Sequence, residues 1–422
     1  MTSPIAGLIE FGQSPWYDNL TRALATGGLR DLVDEHGIRG VTSNPTIFEK
    51  AMASGSDYDP QLREVSAAGA SKSDAYWDLV TTDIAHATDI LRPHYDEWDG
   101  HDGFVSVEVS PDLARDTNAT VAQAKELWAR LDRPNVMIKI PATAEGVPAI
   151  TAALAAGLNV NVTLIFSLAR YGEVLDAFIT GLEQRAALGA DISRIASVGS
   201  FFVSRVDTET DRRLPDGHAL RGKAAVANAK LAYEQFLAGL ERRVASGGDI
   251  RNLASVASFF VSRVDTETDR RLPEGHPLRG KAAVANAKLA YQQFLAASSG
   301  PRWEALAAKG ARVQRPLWAS TSTKNPAYSP TLYVDSLIGR DTVNTLAQAS
   351  VDALEAGDAN LKADSVLDGL DDARAAMAGL ADAGVDFDDV TATLEREGVA
   401  AFSASFHDAL DSLEKKAREL KR

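Results

Sequence analysis

Short apolar runs alternate with longer stretches of three- and four-residue apolar spacing along the whole chain. The runs are "GIRGVTSNPT" (37–46), "GFVSVEVS" (103–110), "PNVMIKIPA" (134–142), "GLNVNVTLIFS" (157–167), "IASVGSFFVS" (195–204), "LASVASFFVS" (253–262), "RPLWASTS" (315–322) and "DTVNTL" (341–346). Between them lie amphipathic segments such as "DAYWDLVTTDIAHATDILRPHYDEW" (74–98) and "KAAVANAKLAYEQFLAGLERRVASG" (223–247). Strand runs alternating with helical spacing predict βα units on a parallel sheet.

The alternation inside the runs narrows the architecture. In "VSVEV", Val105, Val107 and Val109 share one face while Ser106 and Glu108 share the other. In "NVNVTL", Val160, Val162 and Leu164 oppose Asn159, Asn161 and Thr163. Each strand therefore has one apolar and one polar face. In a closed barrel the apolar face meets the helices and the polar one points to the axis near the mouth, where active sites of such barrels are built. An open doubly wound sheet with polar strand ends is the plainer alternative. After about residue 350 the chain is helical and acidic, fit for outer helices or a partner surface, and no Pro- or Ser-rich linker sets it apart.

One segment occurs twice. "FFVSRVDTETDRRLP" begins at Phe201 and again at Phe259, an offset of 58 residues, and from Phe201 to Phe236 only Asp216/Glu274, Ala219/Pro277 and Glu234/Gln292 differ. Weaker similarity upstream sets the repeat at 178–235 and 236–293, one complete βα unit. A solenoid is the wrong reading, since two repeats bury no core of their own. A recent duplication or an artificial sequence accounts for the near identity.

Composition removes several chemistries. The 422 residues are 45% hydrophobic and 24% charged, enough for a large buried core. The formal charge of −14 opposes binding to nucleic acid or to an anionic membrane. The chain has no cysteine, which excludes disulfides, thiolate nucleophiles and cysteine metal sites and suits a reducing cytoplasm. No basic leader precedes the first apolar run, and no window approaches the roughly 18 apolar residues of a membrane span. Glycine-rich nucleotide loops and H-E-x-x-H are missing, and the seven histidines do not cluster, so no metal or nucleotide cofactor is expected.

Four residues stand out for chemistry. Lys139 lies inside "NVMIKIP"; buried there, it becomes a neutral amine able to form a Schiff base, whereas a lysine snorkelling to the surface or paired with a carboxylate is merely structural. Glu108 is either its structural partner or a proton carrier. Asp18 in "SPWYDNL" reads as a helix N-cap or as an acid/base group. Asn44, ahead of Pro45, reads first as a turn asparagine. Asp207 and Glu209 read as a solvated loop.

Taken in order, "GVTSNPTIFEKAM", "VSVEVSPDLARDT", "NVMIKIPATAEG", "NVNVTLIFSLARY" and "SFFVSRVD" resemble transaldolase, in its longer bacterial type with "WYDNL" near the start. The resemblance covers the chain apart from one copy of the repeat. It implies a (β/α)8 barrel of the class I aldolase type, a single domain over residues 1–422, and no cofactor. The implied reaction moves a dihydroxyacetone unit between sugar phosphates, from sedoheptulose 7-phosphate to glyceraldehyde 3-phosphate, giving erythrose 4-phosphate and fructose 6-phosphate. This places the enzyme in the pentose phosphate pathway, as a monomer or homodimer. The matching imine lysine is Lys139. Asp18 becomes the acid/base at the C4 hydroxyl, and Glu108 and Thr163 hold a proton-shuttling water. Asn44 and Asn161 bind the hydroxyls of the three-carbon unit, and Thr42 lines the same mouth. The phosphate meets Ser200, Phe202 and Arg205, or their copies Ser258, Phe260 and Arg263, with Lys324 as a second cation.

The repeat adds a ninth βα unit to a barrel whose strand number and shear are linked. Eight strands with one unit displaced outside are therefore expected. The second copy is favoured for the wall, because Ala257 stands where the first has Gly199 and glycine weakens a strand interior. Competition between the copies leaves two alternatives open: a misassembled, non-catalytic protein, and a fructose 6-phosphate aldolase that releases free dihydroxyacetone.

Overall fold

The computed structural model describes residues 3–166, 168–201, 254–260, 314–319, 321–322, 329–340, 342–367 and 387–421. Its centre is a closed barrel of parallel strands in sequence order, β1 (Gln13–Tyr17), β2 (Gly40–Val41), β3 (Val105–Glu108), β4 (Val136–Pro141), β5 (Val160–Ile165), β6 (Ala196–Phe201), β7 (Ala254–Phe260), β8 (Gln314–Ala319) and β9 (Thr342–Leu346). β9 pairs with β1 through five consecutive register partners and shuts the ring. The described helices are α1 (Pro4–Glu10), α2 (Leu29–Asp34), α3 (Pro45–Ala53), α4 (Asp59–Ala67), α5 (Lys72–Glu97), α6 (Thr117–Leu131), α7 (Gly146–Ala155), α8 (Leu168–Ala187), α9 (Leu332–Ser336), α10 (Gln348–Glu355) and α11 (Phe387–Leu420).

The parallel β/α barrel of the aldolase type is thus present, and the expected displacement of one repeat unit is corrected. Both copies stand in the wall, the first as β6 beside β5 and the second as β7 beside β8. The two strands, which differ over the paired residues only at Gly199/Ala257, run in register from Ala196↔Ala254 to Phe201↔Phe259 without a slip. A strand expelled from the ring would strand a row of backbone N–H and C=O groups, and insertion pairs them all. The wall widens instead, since barrel diameter grows with strand number. No competition for one slot arises, so the argument from Gly199 and Ala257 has nothing to decide.

β1 is a strand that the pattern did not announce. "QSPWY" is short, half polar and contains Pro15, which is rare in a central strand. Its polar groups are satisfied inside: Gln13 Nε2 donates to Leu337 C=O and Thr342 Oγ1, both at 2.8 Å, and Trp16 Nε1 donates to Asp102 Oδ1 at 2.7 Å.

Two apolar layers hold the barrel. The larger lies between wall and helices, where Val105, Val107, Val160 and Val162 meet the helix faces. The smaller fills the lumen with Trp16, Phe104, Met137, Ala196, Leu317, Ala319 and Val343. Gly40 is required beside it, because a Cβ there would lie 2.5 Å from the Trp16 ring. After β1 and along β4 the residue two positions beyond the lumen side chain is polar: Asp18 after Trp16, Lys139 after Met137. The lumen is dry below and polar at the C-terminal mouth, the end at which such barrels carry their sites.

Candidate active site

The mouth is assembled from the ends of β1 to β5. Glu108 and Lys139 are register partners across β3 and β4, and Lys139 is in turn the partner of Asn161 on β5. Lys139 Nζ lies 2.9 Å from Glu108 Oε2 and donates to Ser43 C=O at 3.2 Å. Both side chains are about 5% exposed, at 5% and 4%. The lysine therefore does not snorkel; it is buried and paired. Burial raises the Glu108 pKa above the ordinary carboxylate range, and the Lys139 charge only partly opposes it.

Thr163 Oγ1 is buried with no hydrogen-bond partner in the protein, whereas Glu108 Oε2 has Lys139 Nζ as its ion-pair partner at 2.9 Å. An unpaired buried hydroxyl is costly, at about 1–3 kcal/mol, and suits a place where a small polar molecule is accepted. Just beyond Thr163, Leu164 adopts a left-handed backbone with φ 60°, and the β5–β6 register slips between Val162 and Ile165. This irregularity re-aims the end of β5, as bulges beside active sites do.

Asp18 follows β1 and Thr42 follows β2. Asp18 N–H donates to Leu346 C=O at 3.0 Å, and Thr42 N–H donates to Tyr17 C=O at 2.9 Å. Thr42 Oγ1 donates to Asp18 Oδ1 at 2.7 Å, holding the carboxylate over the mouth. The helix-cap alternative fails, because the next turn is capped by Thr21, whose Oγ1 accepts from Leu24 N–H at 3.3 Å.

Asn44 does cap a helix. It precedes Pro45 with φ −156°, and its Oδ1 accepts from Ile47 N–H at 3.0 Å. The asparagine read as a turn residue is thus a helix N-cap, and the cap uses its side-chain oxygen. Asn161 is fully buried, with Nδ2 donating to Ser106 Oγ at 2.9 Å.

Several contributors escaped the sequence. Ser43 sits between two recognised residues, but acts through its carbonyl, which carries no sequence signal; its hydroxyl donates to Ser106 C=O at 2.7 Å. Ser106 was placed on the polar face by alternation without a role. Tyr76 of α5 has its phenol pKa pushed up, first by burial and then by the Glu108 charge. Phe402 of α11 sets its ring centroid 5.7 Å from Lys139 Nζ. Its segment, "AAFSASF", showed only an apolar helix face.

The anion end is less fully drawn. Ser200 and Ser258 are register partners across β6 and β7, and Phe260 ends β7, but their side chains lie outside the described part. Phe202, Arg205, Arg263 and Lys324 lie outside the described residues altogether. Among the described residues no group of three or more His, Asp or Glu could hold a metal ion. No helix among them is long and apolar enough to cross a membrane.

Comparison with known proteins adds to this geometry. The family model described as "Transaldolase/Fructose-6-phosphate aldolase" matches residues 15–239 and again 237–413. The second match thus starts where the second repeat copy does. A transaldolase from Saccharopolyspora erythraea is 44% identical over 420 residues, covering 99% of each chain. One from Thermobifida fusca is 46% identical over 412 residues, covering 97% of each. One from Mycolicibacterium paratuberculosis is 43% identical over 413 residues, covering 97% of this chain and 96% of the relative.

Proposed function

Since the chain belongs to the transaldolase/fructose-6-phosphate aldolase family and is an enzyme of the transaldolase type, we propose that Lys139 is its Schiff-base lysine and that it passes a dihydroxyacetone unit between sugar phosphates. The observation that carries this is the buried Lys139–Glu108 pair at 2.9 Å on the barrel mouth. The reaction is that of sedoheptulose 7-phosphate and glyceraldehyde 3-phosphate giving erythrose 4-phosphate and fructose 6-phosphate, a step of the pentose phosphate pathway in the cytoplasm.

Glu108, with its raised proton affinity, takes a proton from Lys139. The free amine attacks the ketose carbonyl, and a water held between Glu108 and Thr163 returns the proton to the carbinolamine hydroxyl, which leaves as water. Asp18, steadied by Thr42, removes the C4 hydroxyl proton as the C3–C4 bond breaks. The aldose phosphate departs, and Asn44 and Asn161 hold the hydroxyls of the enamine that remains. An acceptor aldose phosphate then reverses the sequence. The phosphate is met by Arg205 or Arg263 with the neighbouring Ser200, Ser258 and Phe260, and by Lys324. The net charge of −14 leaves such local cations to attract the anion and disfavours nucleic acid and membrane surfaces as partners. A monomer and a homodimer both fit this chemistry.

The test is acceptor dependence. With fructose 6-phosphate as donor, ketose turnover should require an added aldose phosphate such as erythrose 4-phosphate. Steady release of dihydroxyacetone at the same rate without acceptor would make the enzyme an aldolase instead.

A further inference from the structure

α11 runs across the mouth and is tied to the loops on both sides of the lysine strand. Thr46 Oγ1, just after β2, donates to Ser405 Oγ at 2.9 Å. Asp112, just after β3, accepts from Ser403 Oγ at 2.8 Å. Glu395 meets Arg115 at 2.9 Å and Arg170 at 3.8 Å, reaching the loop after β3 and the first turn of α8 after β5. Partly exposed polar ties of this kind are individually weak, about 0–1 kcal/mol. The apolar seam beneath them is not: Phe406 packs edge-on against Tyr76 at 5.0 Å, and Phe402 is buried with 8% exposure. The helix is thereby fixed in height and rotation over Lys139.

Phe402 has no proton to give or take, yet its ring is centred 5.7 Å from the nucleophilic nitrogen. Once an imine forms, its carbon is one bond from that nitrogen, so whatever covers Nζ also covers the carbon that water must attack. We propose that Phe402 is a positioning residue that decides between transfer and hydrolysis, by keeping bulk water off the imine while an acceptor aldehyde is awaited. This rests on the Lys139 imine reading given above. The unwanted route is chemically complete without a co-reactant other than water. The enamine carbon takes a proton to give the iminium, and water adds to the imine carbon and loses a proton. The C–N bond then breaks with its electron pair onto nitrogen, which takes up the proton that the carbinol hydroxyl gives up as its C=O forms, releasing dihydroxyacetone and restoring Lys139. Closing a site to water suppresses this kind of side reaction.

The experiment uses the full chain with fructose 6-phosphate and erythrose 4-phosphate, and measures free dihydroxyacetone against sedoheptulose 7-phosphate. Phe402→Ala should raise that ratio on the order of tenfold. Phe402→Leu, which refills the space, should return it to near the wild-type value. Phe402→Val carries the same test with a smaller truncation should the alanine variant not fold. An unchanged ratio in the truncated variants, or equal loss of both products, would reduce Phe402 to a structural residue and overturn the proposal. Borohydride trapping on the same samples separates the two failures. A normal Lys139 adduct with an unchanged ratio refutes only the role of Phe402, and no adduct in the wild type refutes the imine reading with it.

Discussion

The wall from β3 to β5 and the wall from β6 to β7 are built from the same kind of strand to opposite ends. In the first, neighbours differ: Glu108 faces Lys139, and Lys139 faces Asn161, across consecutive strand pairs. Each adjacency places one chemical type beside another, and the last strand is broken by a register slip near Leu164. In the second, neighbours are copies, and Ser197, Val198 and Ser200 stand opposite Ser255, Val256 and Ser258 with no slip. Closure asks only that backbone edges and register match, which a duplicate satisfies automatically. Chemistry asks that neighbours be unlike, which a duplicate cannot supply. The ring therefore holds the extra strand beyond β5, while Glu108, Lys139 and Asn161 remain register partners.

The contrast breaks most sharply at Lys139. Lys139→Ala should abolish transfer, because among the described side chains at the mouth Lys139 is the one amine paired to a buried acid; residual transfer above background in a coupled assay would move the nucleophile elsewhere. Next come the carboxylates, each expected to lose on the order of 10²–10⁴-fold in rate. Asp18→Asn should still form the imine but stall before carbon–carbon cleavage, whereas Glu108→Gln should slow imine formation itself. Rapid-quench trapping distinguishes these steps, and a block at the same step in both would dissolve the division of labour.

Removing residues 236–293 should have a smaller effect. β6 carries the residues that β7 offers to β8, in the same register, so the ring can close again with one copy fewer. Imine formation at Lys139 should stay within about tenfold of the full chain. Loss of all trapping by a folded, shortened chain would show that the duplicated wall is not independent of the site.

The smallest expected effect is a pH dependence of stability. Burial raises the native pKa of Glu108, so between the ordinary glutamate value near pH 4.3 and the raised one the native state holds a proton that the unfolded state has lost. Stability contributed by this group is present below that window and falls as pH rises through it. The melting temperature of the wild type should fall relative to that of Glu108→Gln as pH rises above the ordinary glutamate range, because only the wild type loses a proton there. A constant difference would contradict the raised value.

Much of the site was legible because alternation alone orients β3 and β5, putting Glu108, Asn161 and Thr163 on the polar face, whereas Lys139 stood out only as a lysine inside a strand run. What alternation could not give was register between strands, which turns an inward lysine and an inward glutamate into a 2.9 Å pair. β1 was invisible because its polar side chains are satisfied by partners far along the chain, such as Asp102 and Thr342. Phe402 was invisible because only tertiary packing brings an apolar helix residue beside Lys139, and Ser43 because its carbonyl acts rather than its side chain. The ninth strand was misjudged because eight strands were taken as fixed, whereas the wall widens to admit another strand in register.

The account turns on where the covalent intermediate forms. Wild-type enzyme incubated with fructose 6-phosphate, reduced with borohydride and digested should carry the three-carbon adduct on the peptide containing Lys139, and Lys139→Ala should carry none. An adduct on a different lysine, or full transfer activity with no adduct anywhere, would contradict it.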